Sequence, residues 1–378
     1  SNGDCPSLLL ENQSTNLILN SESFLSHSVN NVNISSSNIV NPKGSAGAIK
    51  LALDNGTLNS NGGLFFSKVT QAGDVISHSM FVKKAEYRYL TFTIGANSAI
   101  GFHFDLDTGL ITQNINGNQY SLIENKIENY NNGWYRISVS AIDLTGASRF
   151  ISIKPSSLLP TSNDNNYIST GDGTSGVYIF GAQLEENSFS TSYIPTLTGT
   201  TQTRVAETCG GAGDSSSINS EEGVLYAEIS ALAEGQPVTT ISISNQSLSN
   251  RVLIALISGE LRGQFVSSTD NTAKDTNGVV IEDFNKIACS YTSTTFKVFV
   301  NGLQVGDTSA ISTALTGLKE VSFNRGDGVL DFLGNTKDLR VYNTALSDEE
   351  LIYLTGTLGE DYYDNYLEMS NNLNYTIQ

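Results

Sequence analysis

Apolar and polar residues alternate along short runs from one end of the chain to the other. Runs such as Arg88–Ile94, Ile100–Asp105 and Trp134–Ala141 show the two-residue period of β-strands. Clusters of Gly, Asn, Asp and Ser separate these runs at roughly the 8–12-residue spacing that is typical of sandwiches and barrels. The pattern therefore predicts an all-β protein.

Two local signals add detail to this pattern. Asn301-Gly302, between two strand-like runs, predicts a type I′ hairpin turn, because both turn positions need a positive φ. The run from Ser347 to Glu350 predicts a capping box, in which Ser347 caps the N3 amide and Glu350 reaches back. One short C-terminal helix follows from this signal, and Gly356 is expected to end it.

A stretch from Pro195 to Gly223 with few large apolar residues predicts a domain boundary. We place a first domain at residues 1–205, a linker at 206–219 and a second domain at 220–356. The predicted architecture is two antiparallel β-sandwich (jelly-roll) domains in series. The acidic, Asn-rich tail at 357–378 is expected to be disordered or to pack on a neighbouring subunit.

Composition and charge narrow the class of partner. The 378 residues carry a net charge of −18, which argues against nucleic acid and against an anionic membrane surface. No apolar run is long enough to span a bilayer, so no membrane insertion is expected. Few charges and many uncharged polar residues are typical of extracellular β-proteins. The chain lacks an initiating Met, which suggests a fragment or a processed product.

Three cysteines give no disulfide framework. Cys289 alternates in phase with Ile287 and predicts a small buried core residue. Cys5 and Cys209 stand at the two ends of the first domain, where they either pair or stay free. No Cys and His spacing indicates a zinc site.

The carboxylates do not form the pattern of a glycanase. Such an enzyme would show a strand with two carboxylates on one face, one of them a nucleophile and the other an acid/base. The acidic pairs of this chain are adjacent residues, which point to opposite faces of a strand. They are Glu185-Glu186, Glu221-Glu222, Glu282-Asp283 and Glu349-Glu350. We therefore predict a protein that is not an enzyme.

The outward positions of three strands suggest a sugar-binding platform, because sugars stack on aromatic rings and hydrogen-bond to flanking polar groups. The residues with outward phase are Tyr87, Tyr89, His103, Asp105, Trp134 and Arg136. The alternative is that Trp134 packs under a loop and that the tyrosines are ordinary sheet-surface residues.

The run Asn324-Arg-Gly-Asp-Gly328 is a second candidate for ligand contact, through Asn324, Arg325 and Asp327. Its composition first of all predicts a turn between strands. Its Arg-Gly-Asp tripeptide also occurs in ligands of adhesion receptors. If Trp134 proves to be buried, this turn is where a ligand should be sought.

Several runs resemble known families. The second domain resembles laminin-G-like, concanavalin A-like jelly rolls, whereas the first resembles carbohydrate-binding-like modules of phage tail and adhesin proteins. The likeness of the first domain to carbohydrate-binding-like modules rests on Asn16–Phe24, Asn132–Arg136, Gly171–Glu185 and Thr191–Thr196. The likeness of the second domain to laminin-G-like jelly rolls rests on Glu222–Glu228, Phe296–Gly302 and Leu339–Leu351. Both resemblances imply a fold more strongly than a ligand.

The resemblance also implies a structural calcium ion, which in related sugar-binding sandwiches often ties the first strand to the last. Oxygen ligands from Glu22, Gln183 and Glu185 could converge there. The alternative is that Glu22 caps a turn and that Glu185 is solvated.

The resemblance suggests a non-catalytic glycan-binding region of a phage tail fibre or surface adhesin that recognises a host cell-surface polysaccharide. One alternative is a carbohydrate-binding appendage of a secreted bacterial polysaccharide-degrading enzyme. Another is a structural fibre or capsid-surface protein without a ligand. The implied location is extracellular or on the virion surface, and the implied assembly is a homo-oligomer, such as a trimer. Stacking and neutral hydrogen bonds should dominate binding, because a charge of −18 repels acidic polysaccharides unless Arg136 or calcium intervenes.

Overall fold

The structure is a computed structural model that describes residues 6–24, 27–59, 62–95, 99–146, 148–160, 168–197, 199–233 and 236–356. These residues form 28 strands and one helix, which confirms the prediction of an all-β fold. The helix has eight residues, and no helix among the described residues has the length and apolarity needed to cross a membrane.

Strands fill most of the chain between short turns. The strands before residue 206 are β1 (Leu8–Leu10), β2 (Ser14–Asn16), β3 (Ser28–Asn30), β4 (Val32–Ser36), β5 (Ile49–Leu53), β6 (Gly56–Asn59), β7 (Gly63–Val69), β8 (Val75–Lys84), β9 (Tyr89–Ile94), β10 (Ile100–Asp105), β11 (Leu110–Asn116), β12 (Tyr120–Tyr130), β13 (Trp134–Asp143), β14 (Ser148–Ser156), β15 (Ile168–Gly171), β16 (Gly176–Glu185) and β17 (Gln202–Arg204). The elements after residue 206 are β18 (Gly223–Ser230), β19 (Thr239–Ser244), β20 (Arg251–Ile257), β21 (Glu260–Val266), β22 (Asn271–Asp275), β23 (Asn285–Tyr291), β24 (Thr295–Val300), β25 (Leu303–Gln304), β26 (Ser309–Ala310), β27 (Glu320–Ser322), β28 (Gly334–Tyr342) and α1 (Asp348–Thr355).

The chain divides into two compact units, but not at the predicted N-terminal boundary. The inserted unit is Gln13–Val205, and the terminal unit combines the residues before Gln13 with those from Ala206 onward. Strand β1 pairs with β28, with Leu8 opposite Thr336 and Leu10 opposite Gly334, so the chain begins in the terminal unit. The first domain therefore does not start at residue 1.

The segment predicted as a linker, 206–219, is hydrogen-bonded into the terminal unit. Ala212 forms a bridge with Val321, and the amide of Phe323 donates to the carbonyl of Cys209 over 2.9 Å. Cys209 is exposed, while Cys5 lies outside the described residues, so a pairing of the two stays a prediction. The predicted tail at 357–378 also lies outside the described residues.

The inserted unit is a sandwich of two six-stranded antiparallel sheets. One sheet has the strand order β11-β10-β9-β14-β7-β3, and the other has the order β12-β13-β8-β16-β5-β4. The inward residues of both sheets form one apolar core, in which Phe92 and Phe102 from the first sheet meet Met80 and Val139 from the second. All four side chains are fully buried, as expected for facing sheets whose inner faces interdigitate.

The terminal unit is a second sandwich. Within the described residues its sheets have the orders β1-β28-β18-β23-β24-β25, with β26 also on β24, and β22-β21-β20-β19-β27. Leu225 and Cys289 from the first sheet share a buried core with Ile254 and Phe265 from the second. The prediction that Cys289 is a core residue is confirmed.

Both local sequence signals are confirmed in the terminal unit. Asn301 and Gly302 have φ angles of 49° and 85° and join β24 to β25. Ser347 and Glu350 form a capping box at the start of α1. Gly356 ends the helix as predicted, but with a φ of −72°, so the turn there does not use the left-handed region that glycine favours.

Candidate functional site

The six residues of the predicted sugar platform do not share one surface. Strands β9 and β10 belong to one sheet of the inserted unit, whereas β13 belongs to the other. The outward faces of two packed sheets point to opposite sides of a sandwich. Tyr89 and His103 therefore lie on one outer face and Trp134 on the other, so the prediction of a single platform is wrong.

Trp134 and Arg136 are also buried, with 2% and 6% of their surface exposed. The indole of Trp134 donates its Nε1–H to the carbonyl of Val40 over 2.9 Å and packs in an aromatic cluster with Phe81. The Nη2 of Arg136 donates to Ser79 Oγ and to the carbonyl of Thr191. Chain segments distant in sequence cover this outer face, so the alternative of a Trp134 packed under a loop is confirmed.

Tyr89, His103 and Asp105 do lie together on the outer face of β9 and β10, although His103 and Asp105 are buried. His103 Nδ1 and Thr91 Oγ1 share a hydrogen bond of 2.7 Å. Asp105 accepts two hydrogen bonds from Arg88, of 2.7 and 2.6 Å, and this partner lowers the pKa of the carboxyl to about 2. The imidazole of His103 and the carboxyl of Asp105 thus have hydrogen-bond partners within the protein.

Tyr87 precedes β9 and is also buried. Its hydroxyl donates to the carbonyl of Thr170 over 3.2 Å. It therefore anchors a neighbouring segment of the inserted unit and does not offer a ring to a ligand.

The three residues predicted to bind calcium already have hydrogen-bond or ionic partners. Glu185 is fully buried and accepts from Ser14 Oγ and from the amide of Thr191, and also from Gln183 Nε2 over 2.7 Å. Glu22 pairs with Lys43 over 3.0 Å. Among the residues that the structure describes, no group of three or more His, Cys, Asp or Glu side chains could hold a metal ion. The calcium site stays a prediction.

A row of polar side chains lies in the terminal unit, on the outer face of β19, β20 and β21. Alternation along β20 sends Val252, Ile254 and Leu256 into the core, so Arg251 and Leu253 point outward. Residues paired with β20 on either side extend this face, to Ser242 and Ser244 on β19 and to Arg262 and Gln264 on β21. We call it the arginine face, and it consists of Ser242, Ser244, Arg251, Leu253, Arg262 and Gln264.

The predicted turn at Asn324–Gly328 folds over the arginine face. The amide of Arg325 donates to the carbonyl of Val329 over 2.9 Å, which confirms the turn. Gly326 has a φ of +95° and lies so close to β19 that an added Cβ would come within 2.8 Å of the Cβ of Ser244. Only glycine fits this approach, and it brings the flanking Arg325 and Asp327 to the edge of the face.

Exposure of the arginine face changes from one side to the other. Ala273 on β22 is exposed, Arg262 and Gln264 on β21 are half-buried, and Ser242 and Ser244 on β19 are buried. Arg251 and Leu253 on β20 are buried as well, so the face is open only along β21 and β22, and the turn lies over its β19 side.

Paired charges line this face. Arg262 donates to both oxygens of Asp275 over 2.5 and 2.9 Å, and Arg325 donates to both oxygens of Asp327 over 3.1 and 2.6 Å. The guanidinium of Arg325 lowers the pKa of the Asp327 carboxyl, which keeps it ionised. Arg251 is different, because its pKa is lowered by burial and then by the charge of Arg325.

Sequence reasoning found Asn324, Arg325 and Asp327 but missed Arg251, Arg262 and Gln264. The available signal was the strand phase of Arg251–Ile257, which sends an arginine outward. An outward arginine is usually solvated, so the phase alone did not distinguish it from a surface charge.

Residues 229–352 match a laminin G-type family that is described as the concanavalin A-like lectin/glucanases superfamily. The match runs from the end of β18 into α1 and so contains the whole arginine face, but it covers about a third of the chain. The resemblance of the second domain to laminin-G-like jelly rolls is confirmed for these residues. No curated protein matches the chain.

Solved structures with some similarity include carbohydrate-binding and laminin domains. A CBM40 of the Ruminococcus gnavus IT-sialidase, bound to α2,3-sialyllactose, is 20% identical and covers 39% of this chain and 94% of its own, with a TM-score of 0.32. The leech intramolecular trans-sialidase complexed with 2,7-anhydro-Neu5Ac is 20% identical and covers 37% and 24%, with a TM-score of 0.30. The LG4-5 domains of the mouse laminin α1 chain are 9% identical and cover 78% and 89%, with a TM-score of 0.28. These scores are too low to support any argument about ligand.

Proposed function

We propose that this protein binds a glycan without cleaving it, and that the arginine face of the terminal unit is the binding surface. The observation that carries the proposal is the face itself, where polar side chains surround an apolar floor beneath a turn. Arg262 and Gln264, both half-buried, supply hydrogen-bonding groups on the open side, next to the buried apolar side chain of Leu253. Sugar sites combine these two kinds of group.

The family match supports this proposal, because residues 229–352 match a superfamily whose description includes lectins. The same description includes glucanases, so the carboxyl groups near the face have to be compared with those that a glycanase needs. A glycanase needs one protonated and one ionised carboxyl on either side of the bond. Asp327 is held ionised by Arg325, and burial raises the pKa of Asp331 at the end of the turn.

These two carboxyls have separate surroundings. Asp331 forms a bridge with Thr240 at one end of β19, whereas Gly326, beside Asp327, rests on Ser244 at the other end. Thr240 and Ser244 are four residues apart, which is roughly 13 Å along a strand. Asp327 is also paired through both of its oxygens with Arg325, and this favours binding without hydrolysis.

Binding is tested with the purified full chain on a glycan array and with one matched pair of variants. Arg325→Ala removes the arginine of the turn and should abolish or strongly weaken capture of the glycan that wild type binds. Arg340→Ala is the control, because Arg340 also pairs with an aspartate two residues away, Asp338, but on β28 of the other sheet. Equal binding by wild type and Arg325→Ala would remove the arginine face from the proposal.

Cleavage is tested on any glycan that binds. The mixture is incubated and analysed for shortened products, and none are expected. Products from wild type that disappear in Asp331→Asn would show that the protein is an enzyme and that the non-catalytic part of the proposal is wrong.

For the setting of this function we propose a phage tail fibre or another surface adhesin that is extracellular or exposed on the virion, with host polysaccharide as ligand. The composition supports this setting, since few charged and many uncharged polar residues suit a secreted β-protein. Tail fibres are commonly trimers, so a trimeric mass in light scattering and adsorption of the chain to bacterial cells would support it. A monomer that adsorbs to no cells would contradict it.

A further inference from the structure

Arg251 is a buried cation whose side chain lacks a full set of partners. Only 8% of its surface is exposed, and within the described residues its Nε and Nη1 are buried without a hydrogen-bond partner. The hydroxyl of Ser242, on the neighbouring strand of the same face, is also buried and unpartnered. An arginine stays protonated in proteins, so this position holds an uncompensated charge.

Such an arrangement is costly for a folded protein. Buried charges are normally paired and hydrogen-bonded, since removing a guanidinium from water costs several kcal/mol. The other two arginines at this face follow the rule, because Arg262 has Asp275 and Arg325 has Asp327. Arg251 is the exception among the three.

The carboxylates around Arg251 are already engaged. The charged groups that act on it are Arg325 and Asp327, which have opposite signs and are paired with each other. Glu320 lies opposite Ser244 on the far side of β19, and it accepts from Ser322, Gln246 and the amide of Gly211. Among the residues that the structure describes, no free carboxylate thus lies against Arg251.

We infer that the glycan of the proposed function carries a carboxylate, as in a sugar acid, and that Arg251 binds this group. The inference rests on the arginine face as the binding surface. Guanidinium and carboxylate are both planar and form charge-assisted hydrogen bonds, and this face already contains two pairs of that kind. The half-buried Gln264, which lies diagonally across from Arg251 on β21, would contact a neighbouring hydroxyl of the same glycan.

The net charge of −18 favours neutral glycans, whereas a carboxylate-binding Arg251 favours acidic ones. The net charge acts at long range and is screened over about 8 Å at physiological salt. A desolvated cation in contact with its ligand is screened far less. Binding should therefore depend on local charge at Arg251, while the overall charge only slows the approach of a highly charged polymer.

The test compares pairs of glycans that differ only in the acidic group. An array of sugar-acid oligosaccharides is printed beside the same oligosaccharides with each carboxyl reduced to an alcohol, and beside sulfated oligosaccharides. Wild type should bind at least one sugar acid about 10- to 100-fold more tightly than its reduced counterpart, as expected for a hydrogen bond to a charged group. Titration calorimetry on the best pair then gives the ratio.

The variant is Arg251→Met, which removes the charge and keeps a long apolar side chain. Replacing an unpaired buried charge by an apolar group should not destabilise the fold, and a urea unfolding curve checks this. The acid-to-reduced ratio should fall to near one. Arg340→Met on the other sheet is the control and should keep the wild-type ratio.

The outcomes separate this inference from the proposed function. Equal binding of acid and reduced glycans by wild type, preference for sulfated over carboxylated glycans, or an unchanged ratio in a folded Arg251→Met would each overturn the inference and leave glycan binding intact. Wild type that binds no glycan of any class would overturn the proposed function itself.

Discussion

His78 should make the inserted unit less stable as the solution is acidified below neutrality. Its side chain is fully buried on β8, stacked on Phe92 with ring centroids 4.2 Å apart, and 5.8 Å from the ring of Phe66. Within the described residues neither ring nitrogen has a hydrogen-bond partner. Burial lowers the pKa of this ring from 6.5 to about 3, so the folded protein keeps it neutral at any higher pH.

The sign of the effect follows from which state takes up the proton. In the unfolded chain His78 titrates near pH 6.5, whereas in the folded chain it titrates near pH 3. Acidification below 6.5 therefore protonates only the unfolded chain and lowers the free energy of unfolding by about 1.4 kcal/mol for each pH unit. Between pH 7.5 and pH 5.0 the loss from this one residue is about 2 kcal/mol.

The assay is urea unfolding at pH 7.5 and pH 5.0, followed by tryptophan fluorescence. Trp134 is the only tryptophan and lies in the same unit as His78, so the signal reports on that unit alone. Wild type is compared with His78→Leu. His27→Gln is the control, because His27 is half-buried in the same unit and desolvation also lowers its pKa. Its removal should reduce the pH dependence only in part.

Wild type should lose about 2 kcal/mol on acidification, and His78→Leu should lose much less. At pH 7.5 the variant should be at least as stable as wild type, because it no longer buries two unpaired ring nitrogens. A His78→Leu curve that shifts with pH as much as the wild-type curve would refute the reasoning. Other titrating groups would then account for the dependence.

Two further predictions concern buried residues of the two units. Trp134→Ala should lower the free energy of unfolding of the inserted unit by about 3–5 kcal/mol, because it empties a buried aromatic site and removes the hydrogen bond to the Val40 carbonyl. Unfolding followed by circular dichroism measures this loss, and a loss below about 1 kcal/mol would contradict the burial of Trp134. Burial raises the pKa of the Cys289 thiol, so iodoacetamide at pH 8 should modify the exposed Cys209 and should react with Cys289 only in denaturant. Peptide mapping identifies the modified cysteine, and rapid modification of Cys289 in the folded protein would contradict the prediction.

The features that could be predicted from the sequence depend on residues close to one another in the chain. The turn at Asn301-Gly302 needs only two residues that accept a positive φ, and the capping box needs only Ser347 and Glu350. The strand periods are equally local, because alternation is a property of each strand. All three predictions are confirmed.

Pairing between distant strands could not be predicted in the same way. The alternation along a strand predicts which of its residues face outward from its own sheet, but it does not predict which sheet the strand joins. For this reason Tyr89 on β9 and Trp134 on β13 were expected on one platform and lie on opposite outer faces. Likewise, nothing near Leu8 in the sequence indicates that β1 pairs with β28, more than 300 residues away.

Two outward arginines show what decides between structural and binding roles in this chain. Arg136 and Arg251 both follow strand alternation, and both are buried by segments that lie far from them in sequence. The segment over Arg136 brings the carbonyl of Thr191 to its Nη2, which also donates to Ser79 Oγ. The turn beside Arg251 brings Asp327 already paired with Arg325, and within the described residues Nε and Nη1 of Arg251 have no acceptor. The same strand pattern thus produces a structural arginine in one unit and a binding arginine in the other, because the covering segments differ in the acceptors that they supply.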